Sequence, residues 1–320
     1  FGAGYTAGAG GGKTAFMSEF EGVLAVYKPT GFTSHDVVAK ARRILGMKRI
    51  GHTGTLDPQV TGVLPLCLGR ATRVVEYIQE LPKEYVATLR LGMSSDTEDL
   101  TGTITETVEE VQVTEEQILS VLHTFCGVIS QTPPMYSAVK VDGKRLYELA
   151  REGKTVERKS REVEIYEIEM LDMVWNDKYP DITFRALCSK GTYIRTLCVD
   201  IGRSLGLPGV MVKLERTMSA GITADHCLTL EEIAEHRAAG TLQDHLIPAD
   251  QSIAHMPKHV VMEEKKKSAL QGQRVSSRFI SPEVITAGHF RLYDQQGLFL
   301  GIYELEESGS IAPVKVFAQV

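Results

Sequence analysis

The segment Gly51–Pro58, Gly-His-Thr-Gly-Thr-Leu-Asp-Pro, constrains the local backbone more than any other part of the sequence. Its two glycines permit conformations that are closed to other residues, and its proline biases Asp57 away from helix. We therefore predict a sharply shaped loop that presents the side chains of His52 and Asp57. The alternative is a plain turn, in which Asp57 bonds its own backbone and His52 packs within the loop.

The charge pattern divides the chain into basic and acidic segments. The net charge of -6 over 320 residues argues against a protein that coats nucleic acid indiscriminately. Residues 37–54 nevertheless hold five basic residues and no acidic one, and residues 140–161 hold eight basic residues against four acidic ones. Residues 96–116, in contrast, hold eight acidic residues and no basic one. This pattern is typical either of solvated surfaces or of a protein with one phosphate-attracting face.

Apolar runs and cysteines bear on compartment and cofactors. The sequence has no run of about 18 apolar residues and no basic-then-apolar leader, so we predict a cytoplasmic protein that neither spans a membrane nor is secreted. Five scattered cysteines, without a Cys-x-x-Cys pair or clustered histidines, predict reduced, mostly buried thiols and no metal site. They are Cys67, Cys126, Cys188, Cys198 and Cys227.

The first sixteen residues differ in composition from the rest. They are rich in Gly, Ala and Thr and precede Met17, so we interpret residues 1–16 as a disordered remnant of an expression vector. Within them, Ala7–Thr14 nearly matches a phosphate-binding loop, but alanine replaces the first glycine. Because neither a strand before it nor a helix after it is predicted, we assign no nucleotide site there.

Periodicity predicts several strands and helices in the first part of the chain. Residues 22–27 form a short apolar strand, after which Ser34 can cap a helix with one apolar and one basic face. Residues 84–91 alternate as a strand, and residues 103–107 could pair with them across the acidic turn.

Two further helices begin with a capping box, in which a threonine and a Glu or Gln three residues later satisfy each other's backbone N–H groups. These boxes are Thr114 with Gln117 and Thr229 with Glu232. Later segments predict strands at 162–174 and 181–189 and a helix at 193–205.

Composition suggests two domains. Residues 129–158 contain two prolines and many lysines and arginines, which predicts an insertion reaching out from a domain that spans residues 17–247. From residue 248 the pattern changes to short strands separated by glycine and serine, which predicts a small β domain over residues 248–320.

Several longer motifs accompany the loop. The loop itself extends through Gln-Val-Thr-Gly-Val-Leu-Pro to residue 65. The other motifs are Val26–His35, Lys83–Ala87, Ser95–Asp99, Pro134–Lys140, Gly143–Tyr147, Cys188–Thr196 and Leu214–Thr217. In type and order they resemble the bacterial tRNA pseudouridine-55 synthases of the TruB family, over about 190 residues.

This resemblance implies three catalytic residues. Asp57 would attack or stabilise the target nucleotide while its N-glycosidic bond breaks, the base turns, and carbon 5 rejoins the ribose. Arg195 would pair with this carboxylate and keep it ionised. Tyr85 would stack on the target base and take the proton from carbon 5. From spacing alone, a tyrosine in an alternating strand is more typical of the core.

The resemblance also implies residues that bind RNA. Tyr193 and Leu214 would wall the pocket of an extruded uridine, and His52 would accommodate displaced bases. Lys28 and Asp99 would line the active-site cleft. The insertion resembles the family's thumb, which closes over the RNA stem-loop, and its basic residues would contact phosphates without adding sequence specificity: Lys140, Lys144 and Arg145.

The fold implied is α+β, with a mixed and largely antiparallel sheet, peripheral helices and a central cleft, followed by a small PUA-like C-terminal β domain. The activity implied is the isomerisation of uridine 55 in the T stem-loop of transfer RNA, without metal or cofactor. We expect a monomer that needs no obligate protein partner.

Two alternatives and two departures stay open at this stage. The protein could be an RNA chaperone that acts on transfer RNA without catalysis, or a hydrolase that uses Asp57 and Asp99 as paired carboxylates. The acidic turn, Asp96–Gly102, lacks the second aspartate that some relatives show. The C-terminal domain has no motif that matches residue by residue.

Overall fold

A computed structural model describes residues 20–319. The predictions for residues 1–16, including the near-match to a phosphate loop, lie outside this range. The described residues form two β-sheets and two short hairpins, with α-helices around them, which confirms the expected α+β fold. None of the helices in this range is both long and apolar enough to cross a membrane.

The elements follow one another in a mixed order. The first part of the chain contains β1 (Gly22–Lys28), α1 (Ser34–Leu45), β2 (Ile50–His52), β3 (Thr61–Leu68), α2 (Val75–Ile78), β4 (Lys83–Leu91), β5 (Met93–Ser95), β6 (Ile104–Thr107), α3 (Glu115–Thr124), β7 (Gly127–Gln131), β8 (Lys140–Val141), β9 (Lys144–Arg145) and α4 (Leu146–Arg151). The second part contains β10 (Arg161–Asn176), β11 (Tyr179–Cys188), α5 (Ile194–Ser204), β12 (Gly209–Ser219), β13 (Ile222–Thr223), α6 (Leu230–Ala239), α7 (Ala249–Ser252), β14 (Lys258–Val261), α8 (Glu263–Leu270), β15 (Val275–Ser276), β16 (Ile280–Ser281), β17 (His289–Tyr293), β18 (Phe299–Leu305) and β19 (Ser310–Val316). Short 3-10 helices lie at Gly69–Val74, Ala224–His226, Leu242–His245 and Ser277–Phe279.

The larger sheet has the strand order β1-β3-β12-β4-β11-β10-β7, with β2 paired to β3 and β13 paired to β12. Its neighbours are antiparallel except β3 and β12, which run parallel. The sheet is therefore mixed and largely antiparallel, as expected. The second sheet has the order β15-β19-β18-β17-β14-β16.

The start of α1 corrects one local prediction. Thr33, not Ser34, is the N-cap, because its side chain accepts from the Asp36 amide while the Asp36 carboxylate accepts from the Thr33 amide. Ser34 is buried instead, and its hydroxyl accepts a 2.8 Å hydrogen bond from the Leu56 amide. Because Ser34 does not act as the cap, its side chain is available to anchor the segment that precedes Asp57. The capping boxes predicted for α3 and α6 are both present.

The predicted pairing of residues 103–107 with β4 is wrong. Both edges of β4 are occupied, by β12 on one side and β11 on the other, so no edge is free for β6. The chain leaves the sheet at Gly92, whose φ is +110° and where a Cβ would lie 2.3 Å from the Tyr179 ring. The strand that follows this bend, β5, pairs with β6 in a separate hairpin.

The second sheet packs against the first through a shared apolar cluster. Ala25 and Cys67 of the first sheet belong to the same cluster as Ile253, Ile302 and Phe317. Polar contacts add to this junction, because the Arg70 side chain donates a 2.7 Å hydrogen bond to the Phe317 carbonyl oxygen. The small sheet is thus fixed at the β1–β3 side of the large one.

The cysteines are all free thiols. Cys67, Cys188 and Cys198 are buried, Cys227 is half-buried and Cys126 is exposed. Burial raises the pKa of the Cys67 thiol to about 12, which keeps it protonated at neutral pH. Within residues 20–319, no three His, Cys, Asp or Glu side chains converge as metal ligands would.

Candidate active-site cleft

A cleft of about 970 Å³ opens on the larger sheet. It is bordered by the loop before β3, the turn between β5 and β6, the segment 136–151 and the middle of β12. Its lining includes Thr55, Asp57, Thr97, Asp99, Tyr136, Arg145, Tyr147, Arg151, Arg195, Lys213 and Leu214. A chamber of about 210 Å³ adjoins it, shares Asp57, Arg195 and Leu214, and adds Tyr85 and Tyr193.

Asp57 occupies the tip of the predicted loop. Gly54 takes the left-handed conformation, with φ +64°, and the Val60 amide donates to the Asp57 carbonyl oxygen at 2.9 Å. The carboxylate itself is 64% exposed and accepts no hydrogen bond from the described residues. The alternative of an aspartate bonded to its own backbone therefore does not describe this loop.

Lys28 supports this loop from below, which corrects the expectation that it lines the cleft. The side chain is 0% exposed. Its ammonium donates to the carbonyl oxygens of Pro29, Phe32 and Pro58 at 2.9, 2.5 and 3.1 Å. Burial lowers the pKa of Lys28, and the negative charge of Asp57 opposes that shift. Three converging carbonyl groups thus hold the lysine beneath the loop, away from any ligand surface.

Arg195 lies in the first turn of α5 and faces Asp57. Its side chain is 11% exposed, and its Nη2 atom lies 3.8 Å from the Asp57 carboxylate. The same guanidinium donates to the carbonyl oxygens of Tyr136 at 2.7 Å and Thr97 at 3.3 Å. The two backbone contacts fix the guanidinium beside the carboxylate.

Tyr85 reaches the small chamber from β4. It pairs across the sheet with Arg216 on one side and Ala186 on the other. Burial raises the pKa of the Tyr85 hydroxyl, whereas the adjacent Arg216 guanidinium lowers it. The tyrosine is therefore not simply a core residue, because it lines the chamber that also contains Asp57.

Tyr193 and Leu214 border the same chamber, but His52 does not. Tyr193 is held by Gln131, whose side chain accepts from the Tyr193 amide at 2.9 Å and donates to its carbonyl oxygen at 3.1 Å. His52 lines neither the cleft nor the chamber, and its buried Nδ1 atom has no partner among the described residues. Burial lowers the pKa of His52, which favours its neutral form.

Models of a known protein family match three consecutive segments of this chain. A family model described as the N-terminal domain of TruB family pseudouridylate synthases matches residues 42–194. Models described as the tRNA pseudouridylate synthase B C-terminal domain and as pseudouridine synthase II TruB, C-terminal, match residues 195–254 and 257–317. The tRNA pseudouridine synthase B of Bacillus licheniformis is 42% identical over 304 residues, covering 94% of this chain and 98% of that protein.

A second relative, the tRNA pseudouridine synthase B of Bacillus anthracis, is 44% identical over 303 residues, covering 92% of this chain and 97% of that protein. This chain belongs to the TruB family of pseudouridylate synthases. Among solved structures, a crystal structure of a Cbf5-Nop10-Gar1 complex contains a chain that matches with a TM-score of 0.73 and 27% identity. That match covers 95% of this chain and 87% of the other.

In this TruB-family chain, the residues expected on the thumb separate into two groups. Arg145 lines the cleft, where its guanidinium lies 5.9 Å from the centre of the Tyr147 ring. Lys140 and Lys144 are exposed on β8 and β9 and line neither cavity. Lys144 forms a loose 3.6 Å ion pair with Glu152. The two lysines are thus free to meet a ligand outside the cleft.

Asp99 lines the cleft as expected, but its carboxylate is tied to its own turn. Its Oδ1 atom accepts from the Thr97 hydroxyl at 2.7 Å and from the Thr101 amide and hydroxyl at 3.0 and 2.5 Å. A carboxylate with three such bonds is poorly placed to act as the second catalytic group of a hydrolase.

Sequence reasoning gave no role to several residues at the site. Glu98 has φ +68° and accepts a 3.1 Å hydrogen bond from Thr196, and burial raises its pKa. Arg216 lies inside a matched motif, yet nothing in its local pattern shows that it is buried. Tyr136 and Arg151 also border the cleft. Tyr136, Arg216 and Glu98 all lie within motifs named from the sequence, which could have marked them, but the positive φ of Glu98 is visible only in the structure.

Proposed function

We propose that this protein converts uridine 55 in the T stem-loop of transfer RNA to pseudouridine, with Asp57 as the catalytic carboxylate. Relatives that match over nearly their whole length are tRNA pseudouridine synthases, so the chain is an isomerase that acts on transfer RNA. The observation that carries the finer proposal is the meeting of Asp57, Arg195 and Tyr85 around one chamber of about 210 Å³.

The reaction requires the target uridine to leave its stack and enter the chamber. Extruded bases are held by apolar and aromatic walls, which Tyr85, Tyr193 and Leu214 supply here. In the reaction, the bond between nitrogen 1 and the ribose breaks, the base turns, and carbon 5 bonds to the ribose. Asp57 serves as the carboxylate of this exchange, with the Arg195 guanidinium 3.8 Å away to orient it.

The thumb, the insertion over residues 129–158, begins within β7 and continues towards β10, and it supplies the RNA contacts in this proposal. Its exposed Lys140 and Lys144 meet phosphates outside the cleft, and Arg145 meets the RNA at the cleft wall. Such contacts add affinity but carry no base specificity. Selection of the uridine therefore depends on the shape of the stem-loop and on the chamber.

The test uses full-length unmodified transfer RNA that carries 5-tritiated uridine. We expect one tritium released per transfer RNA, and pseudouridine mapped to position 55 by carbodiimide modification and primer extension. A control transfer RNA with cytidine at position 55 should release none. Binding without tritium release would favour the chaperone alternative, and free uracil among the products would favour the hydrolase. Pseudouridine at another position would overturn the assignment to uridine 55.

A further inference from the structure

Arg216 is the largest fully buried side chain of the described residues, with 1% exposure. No carboxylate of residues 20–319 forms an ion pair with it. A buried charge without a counterion is costly, and an apolar side chain of similar size would fill the same space more favourably. A role that requires the positive charge of Arg216 would explain why an arginine occupies this position.

The contacts of Arg216 join the two halves of the proposed active site. On β12 it lies directly opposite Tyr85 of β4, so the two side chains share one face of the sheet. Its Nε atom donates to the Val63 carbonyl oxygen at 2.8 Å, and Nη2 donates to the Gly54 carbonyl oxygen at 3.3 Å. A Cβ on Gly54 would lie 3.2 Å from Nη1. The guanidinium thus fills the gap between Tyr85 and the loop of Asp57.

Two opposing effects act on the Tyr85 oxygen, and burial, which raises its pKa, is the larger. Against the effect of burial, Arg216 is the largest influence that lowers the pKa of Tyr85; Cys188 and Asp57 act in the opposite direction. Burial lowers the pKa of Lys83 and of His52, and the Arg216 guanidinium lowers both further, so positive charge is already crowded around it. A guanidinium donates five N–H groups and does not give up its proton. It can therefore hold the phenolic oxygen only as an acceptor.

We propose that Arg216 is a positioning residue for the isomerisation, which turns the Tyr85 oxygen towards carbon 5 and stabilises it while it receives the proton. This inference rests on the proposed function. Tyr85 first gives its own proton to water. The C5–H bond then breaks, its proton passes to the Tyr85 oxygen, and its electron pair forms the C5=C6 bond. The displaced C6=N1 pair moves to nitrogen 1, which takes a proton from water.

The experiment measures single-turnover rates on transfer RNA that contains either uridine or 5-deuterated uridine at the target position. Replacing Arg216 with Met should slow pseudouridine formation by about 10²-fold, as the loss of one oriented donor does at other active sites. The deuterium isotope effect should rise, because proton transfer to Tyr85 becomes the slow step. Arg216→Lys should restore part of the rate, since it keeps the charge without the fork of donors.

A matched control is Arg90→Met. Arg90 lies on β4 and forms a bidentate pair with Asp181 at 2.8 and 3.0 Å, so its loss lowers stability without touching Tyr85. Its isotope effect should stay at the wild-type value. An Arg216→Met enzyme with the wild-type rate, or a slow one with an unchanged isotope effect, would overturn the proposal.

Folding of each variant is checked by a cooperative thermal melt. If Arg216→Met does not fold, Arg216→Lys decides the matter: a raised isotope effect supports the positioning role, and the wild-type value overturns it. The wild-type reaction separates the two proposals. If the wild-type protein forms no pseudouridine at position 55, the proposed function fails, whereas an active wild type with a normal Arg216→Met variant sinks only the role of Arg216.

Discussion

The floor of the cleft and the thumb both carry basic side chains, but in opposite settings. The cleft floor, by which we mean Arg195 at the cleft wall and Lys28, Lys83 and Arg216 beneath it, keeps its cations largely out of solvent and bonded to backbone carbonyl oxygens. The thumb keeps Lys140 and Lys144 exposed. A buried cation acts only on the groups that the fold places beside it, whereas an exposed one can meet a phosphate. In the proposed function, the same residue types would therefore serve chemistry in one region and docking in the other.

The largest expected effect concerns the carboxylate above the cleft floor. Asp57→Asn should lower the single-turnover rate by about 10⁴-fold or more, because an amide cannot replace the ionised group in covalent chemistry. Binding of transfer RNA should remain near the wild-type level, since shape is nearly preserved. Tritium release and filter binding measure the two quantities. Asp96→Asn is the matched control, an exposed aspartate of the acidic turn outside both cavities. Substantial turnover by Asp57→Asn would remove the basis of the assignment.

The second prediction tests whether a cation of the cleft floor affects the reaction rate rather than the affinity for transfer RNA. Arg195→Met should lower the rate at saturating transfer RNA by about 10² to 10³, because it removes the guanidinium that lies 3.8 Å from Asp57. Arg195→Lys should recover only part of this loss, since an ammonium cannot also hold two backbone carbonyl groups in fork geometry. If Arg195→Met weakened the binding of transfer RNA and left the rate at saturating transfer RNA unchanged, the distinction drawn between the cleft floor and the thumb would be wrong.

A third prediction concerns protonation of the cleft floor. Burial lowers the pKa of Lys83 from 10.5 to about 8. Between these values the unfolded chain binds more protons than the folded one, so stability rises with pH, and below pH 8 the full cost of the buried charge is present. The free energy of unfolding of the wild type, relative to Lys83→Met, should therefore increase by up to about 1.4 kcal/mol per pH unit in this window.

Urea denaturation at several pH values between 7 and 10.5 measures this difference. Lys178→Met, at an exposed position in the turn between β10 and β11, is the control and should show a flat difference. A flat difference for Lys83→Met as well would mean that this lysine titrates as a solvated one does.

The smallest effects are expected on the thumb. Lys140→Ala and Lys144→Ala should each weaken binding of transfer RNA a few-fold and reduce the slope of log affinity against log salt by about 0.7 to 0.9. The saturated rate should not change. Titrations at several salt concentrations check this, with Lys178→Ala as the control. A variant that lost rate but kept its affinity would show that the thumb lysine takes part in the chemistry.

Much of the local structure could be predicted from the sequence. The loop at Gly54, the capping boxes at Thr114 and Thr229 and the long strands after residue 160 depend on residues close together in the chain, so local patterns suffice for them. The pairing of β6 could not be predicted in this way. It depends on which edges of the sheet other strands have already taken.

At the site, the sequence by itself determined which chemical groups are present: the carboxylate of Asp57, the guanidinium of Arg195 and the phenol of Tyr85, each within a recognisable motif. Only the tertiary structure decided that they meet at one chamber, that His52 stays outside it, and that Lys28 lies beneath the loop. The physical reason is that burial and charge pairing arise between segments far apart in the chain. No local sequence pattern shows which of two basic residues will be buried.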